Sequence, residues 1–193
     1  LRGQEPRGPA PISPAEADLV ASALADDRPR IGMCAFEDLH AVTIVARDRP
    51  GLFADIAGVL AAFRLRIKSA LIRTIPATGP DGQVCEVAVD TCWVDIGSVD
   101  LPSAATLETS LRRLAAGDCT VLERLARRDA GYRVPNGTSA SPRVMLLPGA
   151  SQDATVLEIR AADRPGLLYA VGSALTGIGI DLRSAHIATY AGQ

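Results

Sequence analysis

Aromatic side chains are scarce in this chain. They make up 4% of its 193 residues, with one Trp, so Ala, Val, Leu and Ile must fill any core. An excess of one charge is missing too: 20 Lys+Arg stand against 22 Asp+Glu, a net of −2. The two signs are interspersed, which excludes the electrostatic footprint of a nucleic-acid binder or of an anionic-membrane binder. There is no run of 18 apolar residues, so no segment reads as a membrane-spanning helix. The sequence begins at Leu1 and has neither the charged start nor the apolar centre of a signal peptide, and it reads as a cytoplasmic piece of something longer. Lys68 is the only lysine; Arg carries the rest of the positive charge, a usage that suggests a GC-rich genome. Paired cysteines are absent as well. Cys34, Cys85, Cys92 and Cys119 form no C-x-x-C, and His40 and His186 stand alone, so no zinc-ligand spacing exists. Cys85 and Cys92 fall at opposite parity in one predicted strand and cannot bond to each other, so free thiols are expected.

What the chain does have is a stretch that occurs twice. Asp48-Arg49-Pro50-Gly51-Leu52 returns as Asp163-Arg164-Pro165-Gly166-Leu167, 115 positions later (163 − 48). Beyond the pentad the register holds: Leu60 falls on Leu175, Ser69 on Ser184, Ala70 on Ala185, Ile72 on Ile187 and Thr74 on Thr189. Matched positions sustained this far past a shared pentad indicate an internal duplication.

Each copy reads as a strand, a turn at the pentad, a helix and a second strand. In the first copy Leu39–Arg47 is rich in β-branched residues and reads as a strand covered on one side. Leu52, Ile56, Val59, Leu60 and Phe63 lie on one helical stripe. Arg66–Ile75 is the second strand, and Pro76–Gly82 is a turn by composition. Gln83–Val94 alternates as a third strand, with Glu86, Ala88 and Asp90 on a face expected to be wet. A helix follows at Ser103–Ala116, and Cys119–Arg128 has helical composition. Residues 131–141 read as a linker, and Arg143–Leu147 as the missing fourth strand of the first copy. The second copy comprises Thr155–Ala161, a helix at Leu167–Ile178 and a strand at Asp181–Tyr190. It then stops at Ala191-Gly192-Gln193, where the first copy enters its third strand. Upstream, residues 1–36 read as a linker plus a short connecting helix opened by the capping box Ser13-Pro14-Ala15-Glu16. The expected division is 1–36, a first domain with an insert at 37–148, and the N-terminal half of a second at 149–193. A right-handed crossover leaves a gap for the third strand. Without that strand the second copy is expected to be loosely ordered, swapped or prone to aggregate.

The repeated turn offers chemistry. A helix that starts straight after a strand leaves its first N–H groups without partners, and their partial positive charge attracts a carboxylate. Pro50 and Pro165 fit the first helical turn, while Gly51 and Gly166 let a ligand approach the backbone. Asp48 and Asp163 lie beside the pocket, ready to accept from an ammonium group, so an α-amino acid matches both ends. Arg49 and Arg164 read as solvated. A plain β-to-α turn with an aspartate cap explains the same residues. Other features carry less. Gly177-Ile178-Gly179 lacks a third glycine at dinucleotide spacing, His186 replaces Leu71 as a strand residue, and Trp93 reads as core. The strand order is shared with RNA-recognition folds, but one mid-strand aromatic and a negative net charge exclude that use.

Strand, D-x-P-G-L turn, helix, strand, hairpin and second helix make a split βαβ unit. That order with this turn resembles the ACT domain, a small-molecule sensing module, and implies an α+β fold of tandem ferredoxin-like (βαββαβ) domains, the second truncated after its second strand. Tandem D-R-P-G-L copies, Val89–Val94 (V-D-T-C-W-V) and Arg160–Gly172 most resemble the C-terminal tail of the PII uridylyltransferase/uridylyl-removing enzyme family. The resemblance covers residues 37–193. It implies a glutamine-sensing tail whose parent modifies PII nitrogen-signalling proteins when glutamine is low and reverses this when it is high, with adenylyl transferred in actinobacterial relatives. It places ligand contacts at Asp48, Pro50, Gly51, Leu52, Asp163, Pro165, Gly166 and Leu167, often between paired modules. Magnesium would serve the parent's transfer chemistry. Here Gly97-Ser98 is followed by no D-x-D and no His-Asp pair occurs, so no catalytic residue, metal ligand or cofactor is expected in this segment.

Overall fold

The computed structural model describes residues 11–131, 141–151, 154–180, 182 and 184–188. Most of the two linker readings, and the terminal Ala191–Gln193, lie outside those residues.

Helix α1 (Pro14–Asp26) begins as its sequence dictates. Ser13 Oγ accepts from the Glu16 N–H, and the Glu16 carboxylate accepts from the Ser13 N–H at 2.7 Å. It does not act as a mere connector. Val20, Ala23 and Leu24 are buried against Val45, Val87 and Val89 on the back of the sheet. The face they cover includes one side of the strand that alternation read as half wet; both sides of its middle are covered.

Strand β1 (Arg30–Phe36) corrects the reading of 1–36 as linker and helix. It turns at Glu37 and Asp38 and pairs antiparallel with β2 (Leu39–Arg47), from Arg30↔Val45 to Phe36↔Leu39. Helix α2 (Leu52–Ala62) then crosses to β3 (Arg66–Thr78), and β4 (Val84–Asp95) returns between β2 and β3. Helices α3 (Ala104–Ala115) and α4 (Thr120–Ala130) follow. The second copy supplies β5 (Arg143–Leu146), β6 (Leu157–Arg160), α5 (Leu167–Gly177) and β7 (Ser184–Ala188). The whole is α+β, with the helix and strand alternation of tandem ferredoxin-like units.

The main sheet has the order β1-β2-β4-β3-β7, and β5 and β6 form a separate pair. Arg143–Leu147 is therefore not the fourth strand of the first copy. Its residues pair with β6, Arg143↔Arg160 to Leu146↔Leu157, and β1 holds the place beside β2. The cause is proximity along the chain: β1 reaches β2 through a two-residue turn, at little loop-closure cost, and closes that edge. Both copies follow one plan, since β5 stands to β6 as β1 stands to β2. Each strand of the second copy's core has one partner, β5 for β6 and β3 for β7. Their opposite edges carry none among the described residues.

The β3/β7 pair joins the copies. Leu71 lies opposite His186, and these are equivalent positions of the duplication (186 − 71 = 115). The two copies are thus related by an approximate two-fold axis through this pair. On the same side of the axis α2 packs along α5. Gly172 lets the helices approach closely there, because a Cβ would sit 3.0 Å from Phe53 and 3.1 Å from Ala54. Val42, Ile44, Ile56, Leu60, Cys92, Val94 and Leu107 fill the core between sheet and helices. Each fully buried Leu or Ile among them is worth about 1.5–3 kcal/mol.

Candidate functional site

At the first corner the backbone of the turn faces α5, with Thr176 3.5 Å from where a Cβ on Gly51 would be. β2 ends at Arg47, and Gly51 caps α2 with φ +83°, a left-handed value that glycine adopts without strain. Asp48 does not cap the helix. Its N–H donates to the Glu86 carbonyl at 3.0 Å, and its Oδ2 accepts the Thr74 hydroxyl at 2.8 Å, which ties the turn to β3. The Leu52 N–H reaches the Arg49 carbonyl and the Asp55 N–H the Gly51 carbonyl. The N–H groups of Phe53 and Ala54 make no backbone hydrogen bond among the described residues, the orphaned donors expected at a helix start.

A cavity of about 20 Å³ lies at this corner, between the two copies. Asp48, Gly51 and Leu52 line it from the corner, Thr74 from β3, Asp90 from β4, and Gly172 and Thr176 from α5. Pro50 is exposed and outside the lining. Its volume holds a water, not an amino acid. Asp90 is 1% exposed. Burial, with the nearby Asp48 charge, pushes its carboxyl up to about 7. Burial likewise drives the neighbouring Cys92 thiol upward and keeps it protonated.

The second corner has the same backbone and a different fate. Gly166 has φ +75°, and the Ala170 N–H bonds the Gly166 carbonyl as in the first copy. Leu125 of α4 presses on it, 3.3 Å from where a Cβ would be. Arg164 is held at 2.7 Å by the Asp129 carboxylate of α4, and Arg128 donates to the Ala61 carbonyl at the end of α2. Sequence explains the difference. Arg49 has a carboxylate on its own helix, Asp55, and pairs with it; the equivalent of Asp55 is Ala170, so Arg164 takes its partner from α4. Neither arginine is simply solvated. Asp163 is exposed, and Asp163, Pro165, Gly166 and Leu167 are not among the residues that line the cavity at the first corner.

The structure therefore gathers Asp48, Gly51 and Leu52 around one space and leaves the second set outside it. Asp90 was missed by sequence reasoning. An acid in the middle of the apolar run Val87–Val94 was the available signal, masked by assigning its parity to a wet face.

No family model matches the chain, and no solved structure matches it. Curated relatives do. The chain is 40% identical over 147 residues to the bifunctional uridylyltransferase/uridylyl-removing enzyme of Streptomyces coelicolor, covering 76% of this chain and 17% of that protein. The enzyme of the same name from Azospirillum brasilense is 32% identical over 180 residues, 91% of this chain and 19% of its own. This chain is homologous to a segment of the bifunctional uridylyltransferase/uridylyl-removing enzymes. The match to the Rhodospirillum rubrum enzyme, 34% over 152 residues, is of the same kind. The resemblance drawn from the repeated pentads is borne out, and the chain spans less than a fifth of the length of these uridylyltransferase relatives.

Proposed function

We propose that this chain is the regulatory, amino-acid-sensing part of an enzyme that adds and removes a nucleotidyl group on PII nitrogen-signalling proteins. In this reading its two copies are ACT domains, glutamine is the ligand, and PII meets the parent enzyme rather than this segment. Magnesium belongs to the parent's transfer chemistry, and among the described residues no group of three His, Cys, Asp or Glu side chains is placed to hold a metal.

One observation carries the reading: the orphaned helix-start amides of α2 and the carboxylates of Asp48 and Asp90 flank a space that lies between the two copies. A zwitterion has a partner for each end there. Because the space holds only a water, an amino acid must part α5 from the first corner. Binding would then shift one copy against the other about the β3/β7 seam, and such a displacement is what a distant catalytic part can read.

Calorimetry of the whole chain against the twenty amino acids tests this. Glutamine is expected to bind at one site per chain, and Gly51→Asp to abolish binding by placing a carboxylate where the ligand's would rest. If no amino acid binds, the small cavity favours a second reading, in which the paired copies are a structural module with no ligand.

A further inference from the structure

A carboxylate in the middle of a buried strand is costly unless a cation or a proton meets it. Asp90 sits on β4 with Ala88 and Cys92 buried beside it on the same face. Its Oδ1 accepts a long bond, 3.3 Å, from the Arg73 N–H of β3. Strand pairing is interrupted here: it runs from Leu71↔Thr91 to Thr74↔Ala88 with neither Ile72 nor Arg73 paired to β4. The register is the same on either side of the gap, and the Asp90 side chain lines the cavity together with Asp48.

We propose that Asp90 is the specificity-determining residue of this site, receiving with Asp48 the ammonium group of an α-amino acid whose carboxylate rests on the first amides of α2. The assignment rests on the sensing function given above and names which end of the ligand each group reads. Empty and below about pH 7, the site holds a proton where the ammonium would be, because burial raises the Asp90 carboxyl to about 7. Ligand ammonium expels that proton from Asp90 to solvent. The other charged groups around Asp90 do not compete for this role. Asp48 on the turn shares it, Arg49 is paired with Asp55, and the Arg73 guanidinium bonds Glu16 of α1. From the second copy Gly172, Leu175, Thr176, Ile180 and Leu182 bring no titratable group.

The test is calorimetry of the whole chain with glutamine near pH 7 in two buffers of different ionisation enthalpy. The unaltered chain is expected to release part of a proton per glutamine bound, with affinity rising by up to tenfold per pH unit below about 7 and levelling above it. Asp90→Asn should release none and bind glutamine about 10- to 100-fold more weakly. Glutaramate, which is glutamine without its ammonium, should bind both forms alike. Binding by the unaltered chain without proton exchange, or by folded Asp90→Asn at full strength, overturns the role of Asp90 and leaves sensing intact. Absence of any glutamine binding by the unaltered chain overturns both. If Asp90→Asn fails to fold, the proton count on the unaltered chain decides alone.

Discussion

Asp90 makes the stability of the molecule depend on pH in an unusual direction. Its folded carboxyl lies near 7 and its unfolded one near 3.8, so between those values the folded state holds the extra proton. Stability is greatest below the unfolded value and falls as pH rises through about 7. From pH 5.5 to pH 8 the loss is about 2 kcal/mol at 1.36 kcal/mol per unit. Thermal melts should show the unaltered chain weaker at pH 8, and Asp90→Asn with that slope removed. The two corner glycines are unequal in the same local way. Gly51→Asp enters the cavity beside Thr176, whereas Gly166→Asp meets Leu125. The first should abolish ligand binding; the second should lower the melting temperature and leave glutamine affinity at the first corner unchanged. Thiol labelling gives a third readout. Cys34 and Cys119 are exposed and Cys92 is buried, so alkylation in native buffer should mark the first two and reach Cys92 only on unfolding.

At the level of elements, α4 decides which corner is available. Leu125 is 2% exposed, and Leu125→Ala should cost about 2–5 kcal/mol, read as a lower denaturation midpoint. Asp129→Ala breaks a half-exposed ion pair and should cost under about 1 kcal/mol. The position of α4 could not be read from its letters: its amphipathic pattern announces a helix, but the surfaces it covers belong to α2, some 65 positions back, and to the second corner, some 40 positions further on. The elements that were legible have one strong period. β2, α2, β3 and β4 show β-branched runs or a clean apolar stripe, and Ser13–Glu16 spells out its own cap. β1 was not legible, because Gly32, Cys34 and Ala35 give neither alternation nor β propensity, and half of it is exposed at an edge. The same blind spot hid Asp90. Period two in β4 promised a wet face only if nothing covered it, and that face lies under α2 and α5, whose placement over the sheet no local pattern announces.

Across the whole molecule the cavity exists because two copies meet, not because one copy has a pocket. Breaking the seam should therefore end binding without touching any lining group. Ile187→Pro removes a backbone donor from β7 opposite Ala70, and it should weaken glutamine binding while the melting of the first copy's core persists. Asp48 and Gly51 could be found from the pentad alone. Their partners Gly172 and Thr176 could not, since nothing in a linear pattern says that the helices of the duplication lie side by side. The match of Leu71 to His186 has a further consequence. A seam whose midpoint falls on corresponding positions fits a margin to its own likeness. A shortened chain ending after α4 would offer that margin bare, and two such molecules should clasp each other about a two-fold axis, β3 antiparallel to β3, visible as a doubled mass in sedimentation. What the long chain does within itself is what an ancestral half, before it was copied, would have done with a twin.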